Sequence, residues 1–292
     1  MKPHHIVLAL LVAAIWGINF TVIVIGLGSF PPLLLAALRF VIAALPALVL
    51  PRPNVPWPRL VAIGATLFLG QFAFLFTGMA VGMPAGLASV TLQAQAFLTI
   101  LIASVALRER PTPRQIAGTL VALVGLLVIA GTVGGPDFSA LGLGLCLAAA
   151  LCWAVGNVLL RGTGKLDMLS LVAWISLIPP IPLFALSLLL DGPETVGQAL
   201  LALNWSGVWA VLYISILSTT LGFGIWGWLL KQYPAATVAP FSLLVPIFGA
   251  ASAAIVLGER FGPARMTGMA LIIAGLVIVV VPLKRTLARR RA

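Results

Sequence analysis

Apolar runs of about 20 residues follow one another along this chain with only short polar breaks, the length that spans a bilayer. Charges and Pro/Gly clusters cut it into ten segments, near residues 6–27, 31–50, 59–81, 85–107, 115–134, 139–160, 168–190, 206–229, 236–258 and 264–283. The pattern predicts an all-α polytopic membrane protein with ten transmembrane helices. The first apolar run continues to Leu27, past the roughly 7–15 residues of a signal-peptide core, so it is read as the first span.

Composition agrees. The chain is 62% hydrophobic and 8% charged, against roughly 25% charged for a soluble domain. The net charge of +11 sits at segment ends rather than in an aromatic-studded patch, so no nucleic-acid partner is expected. With the N-terminus cytoplasmic, the inside segments hold Lys2, Arg52, Arg59, Arg108, Arg110, Arg114, Arg161, Lys165, Lys231 and the five basic residues of "KRTLARRRA", which is 14 of the 17 Lys and Arg residues. Only Arg260 and Arg265 fall outside. The positive-inside rule then predicts a multi-pass protein of a bacterial inner membrane with both termini cytoplasmic and the tail against anionic lipid. Cys146 and Cys152 fit neither a disulfide framework nor a CxxC site and read as small buried thiols.

The chain also repeats itself. "MPAGLASVTLQAQAFLTILIASVALRERPTPRQIAGTLVALVGL" (83–126) aligns without gaps with "YPAATVAPFSLLVPIFGAASAAIVLGERFGPARMTGMALIIAGL" (233–276), at a constant offset of 150. Apolar bias would match Leu and Ala; it does not explain the recurring Glu-Arg-x-x-Pro-x-x-x-x-Gly spacing. Trp16/Trp153 and Asn19/Asn157 correspond more loosely, after a one-residue slip. Five helices per copy is an odd number, so the second copy is inverted. The expected units are residues 1–136 and 137–292, enclosing a central cavity, an architecture that recurs in secondary transporters. Duplication kept only for a stable scaffold is the alternative.

"ALRF" in the second segment and the paired endings "LRERPTPRQIAG" and "LGERFGPARMTG" make the whole chain resemble the EamA-type transporters of the drug/metabolite transporter superfamily. Within that family it is most similar to bacterial amino-acid exporters, aromatic amino-acid exporters in particular. The resemblance implies a ten-helix basket with a central cavity and export of amino acids or related metabolites. One departure is Ala96, which stands where the second copy has Pro246, so a proline hinge is expected in one half only.

No Asp, Glu or Lys lies within a span, which argues against an intramembrane proton relay. No acid/base pair, nucleophile constellation or metal-ligand cluster is evident; no enzyme activity, cofactor or metal is expected. Arg39 is the exception among charges. Counting about 1.5 Å per residue puts it roughly 12 Å below one membrane face, with Asn19 and Gln93 near the same depth and Gln71 at roughly 15 Å. A charge at that depth costs at least about 2.5–3.5 kcal/mol, so it must face a wet cavity or find acceptors. The carbonyls of Asn19, Gln71 and Gln93, freed backbone carbonyls or a substrate carboxylate are the candidates. Arg39 either pins helices together or also attracts that carboxylate.

Trp16, Trp153 and Tyr213 lie too deep to be interfacial anchors. They are core packing or the apolar wall of a substrate cavity. "IPPIP" (178–182), Pro46, Pro240 and Pro246 predict bends in the second, seventh and ninth helices. The glycine pairs Gly118/Gly125 and Gly268/Gly275 suggest close helix contacts.

The reading is a secondary transporter exporting small zwitterionic metabolites by alternating access, with facilitated diffusion favoured by the missing carboxylate. The candidate substrate residues are Asn19, Arg39, Gln71, Gln93, Trp16, Trp153 and Tyr213. A multidrug or organic-cation carrier and a non-transporting scaffold are the alternatives. The oligomeric state is open, a monomer being one option.

Overall fold

The computed structural model describes residues 1–281 except 135, 136, 162, 164 and 165. Lys165 and the basic tail, both used in the charge count, lie outside the described residues. Within them the chain forms ten membrane-scale helices and no strands: α1 (Pro3–Leu27), α2 (Pro32–Leu48), α3 (Trp57–Ala80), α4 (Ala85–Ala106), α5 (Pro113–Ala130), α6 (Ala140–Leu160), α7 (Met168–Leu190), α8 (Trp205–Gln232), α9 (Ala239–Val256) and α10 (Pro263–Val280). Nine are long and apolar enough to cross a membrane, and α2 is shorter. Several start earlier than the charges suggested because Pro3, Pro113 and Pro263 open the first turn, where a missing N–H costs nothing.

Polar ties sort the helix ends into two faces. His5 Nδ1 lies 2.7 Å from the Tyr233 hydroxyl, Arg59 donates to the Leu159 carbonyl at 3.1 Å, and Lys231 pairs with Asp167. The starts of α1, α3 and α7 and the ends of α6 and α8 therefore share one face, called here the N-terminal face. Ser29 donates to Asn204 Oδ1 at 3.0 Å, the Ser139 N–H donates to the Gly82 carbonyl at 3.0 Å, and Arg265 pairs with Asp137 on the opposite face.

The two five-helix repeats are inverted and share backbone detail. Arg108 (φ 53°) and Gly258 (φ 70°), repeat mates, both adopt the left-handed conformation that ends α4 and α9. Arg108 does so without the freedom of glycine. α3 and α8 each widen into π turns, at Ala65–Gly70 and Tyr213–Leu221. α5 and α10 meet through their glycines. A Cβ on Gly118 would lie 2.6 Å from the Gly275 carbonyl oxygen, and one on Gly125 2.6 Å from that of Gly268.

Bends fall at the prolines and at one place besides. α2 tightens at Leu45–Leu48 around Pro46, α7 is interrupted between Ile175 and Pro180, and α9 begins as a tighter helix, Ala239–Leu244. The proline at this position, Pro246, lies in one half only, but the other half is interrupted as well. α4 is interrupted at Leu92 and Gln93 with no proline, its N–H groups instead closing i→i+3 turns such as Gln95 to Leu92 at 3.1 Å.

Candidate substrate site

A cavity of about 400 Å³ lies between the repeats, a size suited to a small molecule. α1 to α4 and α6 to α9 line it, whereas α5 and α10 contribute no lining residue among those described. Leu160, Met168, Leu230 and Ala239 sit at helix ends of the N-terminal face and form its mouth. None of the described lining residues lies at a helix end of the opposite face. There Glu259 Oε1 accepts the Ala85 N–H at 2.6 Å and Oε2 the Gly86 N–H at 3.0 Å. Burial lifts this carboxyl above the ordinary range, and the two backbone bonds offset that rise only in part.

Arg39 is 2% exposed and borders the cavity. Its Nε donates to Thr219 Oγ1 at 2.9 Å and its Nη1 to Asn19 Oδ1 at 3.5 Å, while its guanidinium carbon lies 4.1 Å from the Phe72 ring centroid. Thr219 in turn donates to the Ile214 carbonyl at 2.7 Å, five residues back, which the π turn of α8 makes possible. A charge-assisted bond contributes about 1.5–3 kcal/mol and a desolvated cation–π contact about 2 kcal/mol. Together these offset the insertion cost without any carboxylate. Nη2 has no hydrogen-bond partner among the described residues.

Six of the seven residues singled out from the sequence line this cavity: Trp16, Asn19, Arg39, Gln71, Gln93 and Trp153. Tyr213 does not. It turns toward α1, its hydroxyl donating to the Ile15 carbonyl at 3.0 Å, with the Trp209 ring centroid 5.4 Å away. Depth placed it correctly; its rotation about the α8 axis puts it in the packing. Gln71 and Gln93 line the cavity but do not accept from Arg39 among the described hydrogen bonds, and Thr219 takes that role instead. The only sequence signal for Thr219 is the hydroxyl run Ser218-Thr219-Thr220 deep in an apolar segment.

Nearer the mouth, Asn157 Nδ2 donates to Gln95 Oε1 at 2.9 Å and to Thr99 Oγ1 at 3.3 Å. That leaves the Asn157 carbonyl oxygen as a further acceptor beside the cavity. Trp16 Nε1 donates to the Ser218 carbonyl at 2.9 Å. The bond fixes the indole against Phe223 and Trp226, with centroids 5.1 and 5.2 Å away. No Asp or Glu occurs among the described lining residues. Nor, among described residues, is any group of three His, Cys, Asp or Glu placed to hold a metal ion.

Two inverted five-helix repeats around a cavity open to one face are the build of a membrane transporter. The profile of the EamA-like transporter family matches residues 4–131 and again 140–281, and the chain belongs to that family. Relatives include a "Probable amino-acid metabolite efflux pump" of Salmonella typhimurium, 45% identical over 93% of each chain. A protein of the same description from Escherichia coli is 45% identical over 95% of each chain. A "Probable terminal-alkyne amino-acid exporter" of Streptantibioticus cattleyicolor is 29% identical over 100% of this chain and 97% of its own. A crystal structure of a protein 23% identical superposes with a TM-score of 0.64 over 98% of this chain and 100% of that one, a likeness of fold.

Proposed function

We propose that this transporter exports amino acids or closely related metabolites, aromatic ones included, across a bacterial inner membrane by alternating access between repeats 1–136 and 137–292. Both termini then face the cytoplasm, and the cavity described is open inward. The observation that carries this reading is the buried Arg39 guanidinium at the cavity wall, with one nitrogen unpartnered and no carboxylate lining the space among the described residues. It suits a substrate carboxylate. Asn19, Gln71 and Gln93 complete the polar side, while Trp16 and Trp153 supply a flat apolar wall. The names of the relatives from Salmonella, Escherichia and Streptantibioticus support the same substrate class. The lack of a lining carboxylate favours movement down the substrate gradient.

Purified protein in liposomes, given a panel of amino acids with and without a pH gradient, tests this. Uptake that saturates, prefers amino acids to their decarboxylated amines and loses that preference in Arg39→Gln is expected. Transport of amines or cationic dyes in preference to amino acids would overturn it in favour of an organic-cation carrier.

A further inference from the structure

Glu109 and Glu259 occupy the same position in the two repeats, and the backbone aims them alike. Each follows a left-handed residue, Arg108 or Gly258, and each N–H reaches back to an alanine carbonyl six residues earlier, at 3.4 Å to Ala103 and 3.2 Å to Ala253. Here the two find different partners. Glu259 takes both N–H groups at the start of α4. Gly86 leaves room for Phe261, since a Cβ there would come within 2.4 Å of that ring; the mates in the other repeat are Ala236 and Pro111, so no ring demands a glycine there. Glu109, on the N-terminal face, pairs instead with Arg161, both side chains about half exposed at 51% and 43%.

Repeat mates one turn further along show the same asymmetry. Ser89 is 1% exposed, wedged against α9 so closely that a Cβ on Gly249 would lie 2.4 Å from its hydroxyl oxygen. Its mate, Ala239, borders the open cavity. The segment that Glu259 clamps is packed against α9; in the other repeat Ala239 borders the cavity, and the matching carboxylate, Glu109, pairs with Arg161.

We propose that Glu259 and Glu109 are positioning residues for transport, the latches of two alternating gates. Glu259 holds the start of α4 and shuts the face opposite Met1. In the converse state Glu109 leaves Arg161 and takes the backbone N–H groups at 235 and 236, where the helical turn Ala235–Val238 leads into α9, as Glu259 lets go. This rests on the alternating-access reading above. The physical logic is that the first N–H groups of a helix lack intrahelical acceptors and attract a carboxylate. The exposed Glu109–Arg161 pair is weakly held and therefore easily exchanged. One latch breaks as its mate forms, so the two states stay close in free energy and substrate can bias them.

The test uses the full chain with Cys146 and Cys152 replaced by Ser, carrying either Ser89→Cys or Ala239→Cys as reporter. A membrane-impermeant thiol reagent is applied to vesicles from each face in turn. Glu259→Ala is expected to raise labelling of the Ser89→Cys reporter from the face opposite Met1 severalfold and to lower labelling of the Ala239→Cys reporter from the N-terminal face. Glu259→Gln, which keeps one acceptor oxygen, should fall between Glu259→Ala and the parent. Glu109→Ala removes a side chain whose hydrogen-bond and ion-pair partner among the described residues is Arg161, and should suppress the rise in Ser89→Cys labelling that saturating phenylalanine is expected to produce in the parent. This second variant answers the question even where Glu259→Ala does not reach the membrane. If phenylalanine shifts labelling but neither latch variant does, alternating access stands and the latch assignment is wrong. If labelling never shifts while liposomes still transport phenylalanine, alternating access falls and the latches with it.

Discussion

Arg39 in the first repeat and Thr219 in the second are joined by a 2.9 Å hydrogen bond beside the cavity, and Thr219 is in reach because α8 widens around it. Thr219→Val keeps the shape of the side chain but deprives the guanidinium of its best acceptor. The expected loss is on the order of 1–3 kcal/mol of stability, the cost of leaving a buried polar group unpaired. Thr219→Ser should lose far less. Thermal unfolding of the two variants in detergent measures the difference.

Trp16 is held flat by its bond to the Ser218 carbonyl, and Gly222 leaves room for it: a Cβ there would lie 2.6 Å from the indole nitrogen. Gly222→Ala should push the ring toward the cavity. Liposome flux of phenylalanine should fall more than that of alanine, since a narrowed wall penalises the bulkier side chain. Equal losses for both would show that the ring does not border the substrate.

Asn157 offers a neutral carbonyl oxygen near the cavity mouth. Asn157→Asp adds a negative charge of nearly the same size, and like-charge juxtaposition costs several kcal/mol when water is excluded. The preference for amino acids over their decarboxylated amines should drop by about tenfold or more, the equivalent of about 1.4 kcal/mol. Competition assays in liposomes read this ratio directly.

Asp167 sits outside the membrane spans, where its bond to Lys231 and then its acceptance of the Ser170 N–H at 2.9 Å hold its carboxyl below the ordinary range. A carboxylate depressed in the folded state contributes stability above its unfolded pKa and loses it as pH falls through the folded value. The melting temperature should therefore decline as pH drops below about 4. Asp167→Asn keeps the helix cap but gives up the titration, so its decline should be shallower.

The α5–α10 contact leaves no space for side chains at Gly118 and Gly125. Gly125→Leu forces the helices apart and should cost about 1–3 kcal/mol, the usual penalty of overpacking. A lower yield of monodisperse protein and a lower melting temperature are the readouts.

Much of this was legible before any coordinates. Bilayer thickness fixes helix length, so counting apolar residues finds the spans, and duplication preserves the spacing around Glu109 and Glu259. Depth was legible for the same reason, and it drew Asn19, Arg39, Gln71 and Gln93 toward one layer. Rotation about a helix axis was not. A span that is apolar on every side carries no stripe to orient it, which is why Tyr213 was placed with the cavity and lies in the packing. Thr219 escaped notice because its reach depends on the π turn of α8. The interruption at Leu92 and Gln93 had no proline to announce it.

The glycine seam between α5 and α10 has a consequence of its own. These two helices lend no described residue to the chamber wall, yet their backbones touch, so they suit the part of an axle about which the remaining helices tilt. Changes confined to that axle should alter how fast the protein turns over while leaving untouched what it chooses to carry.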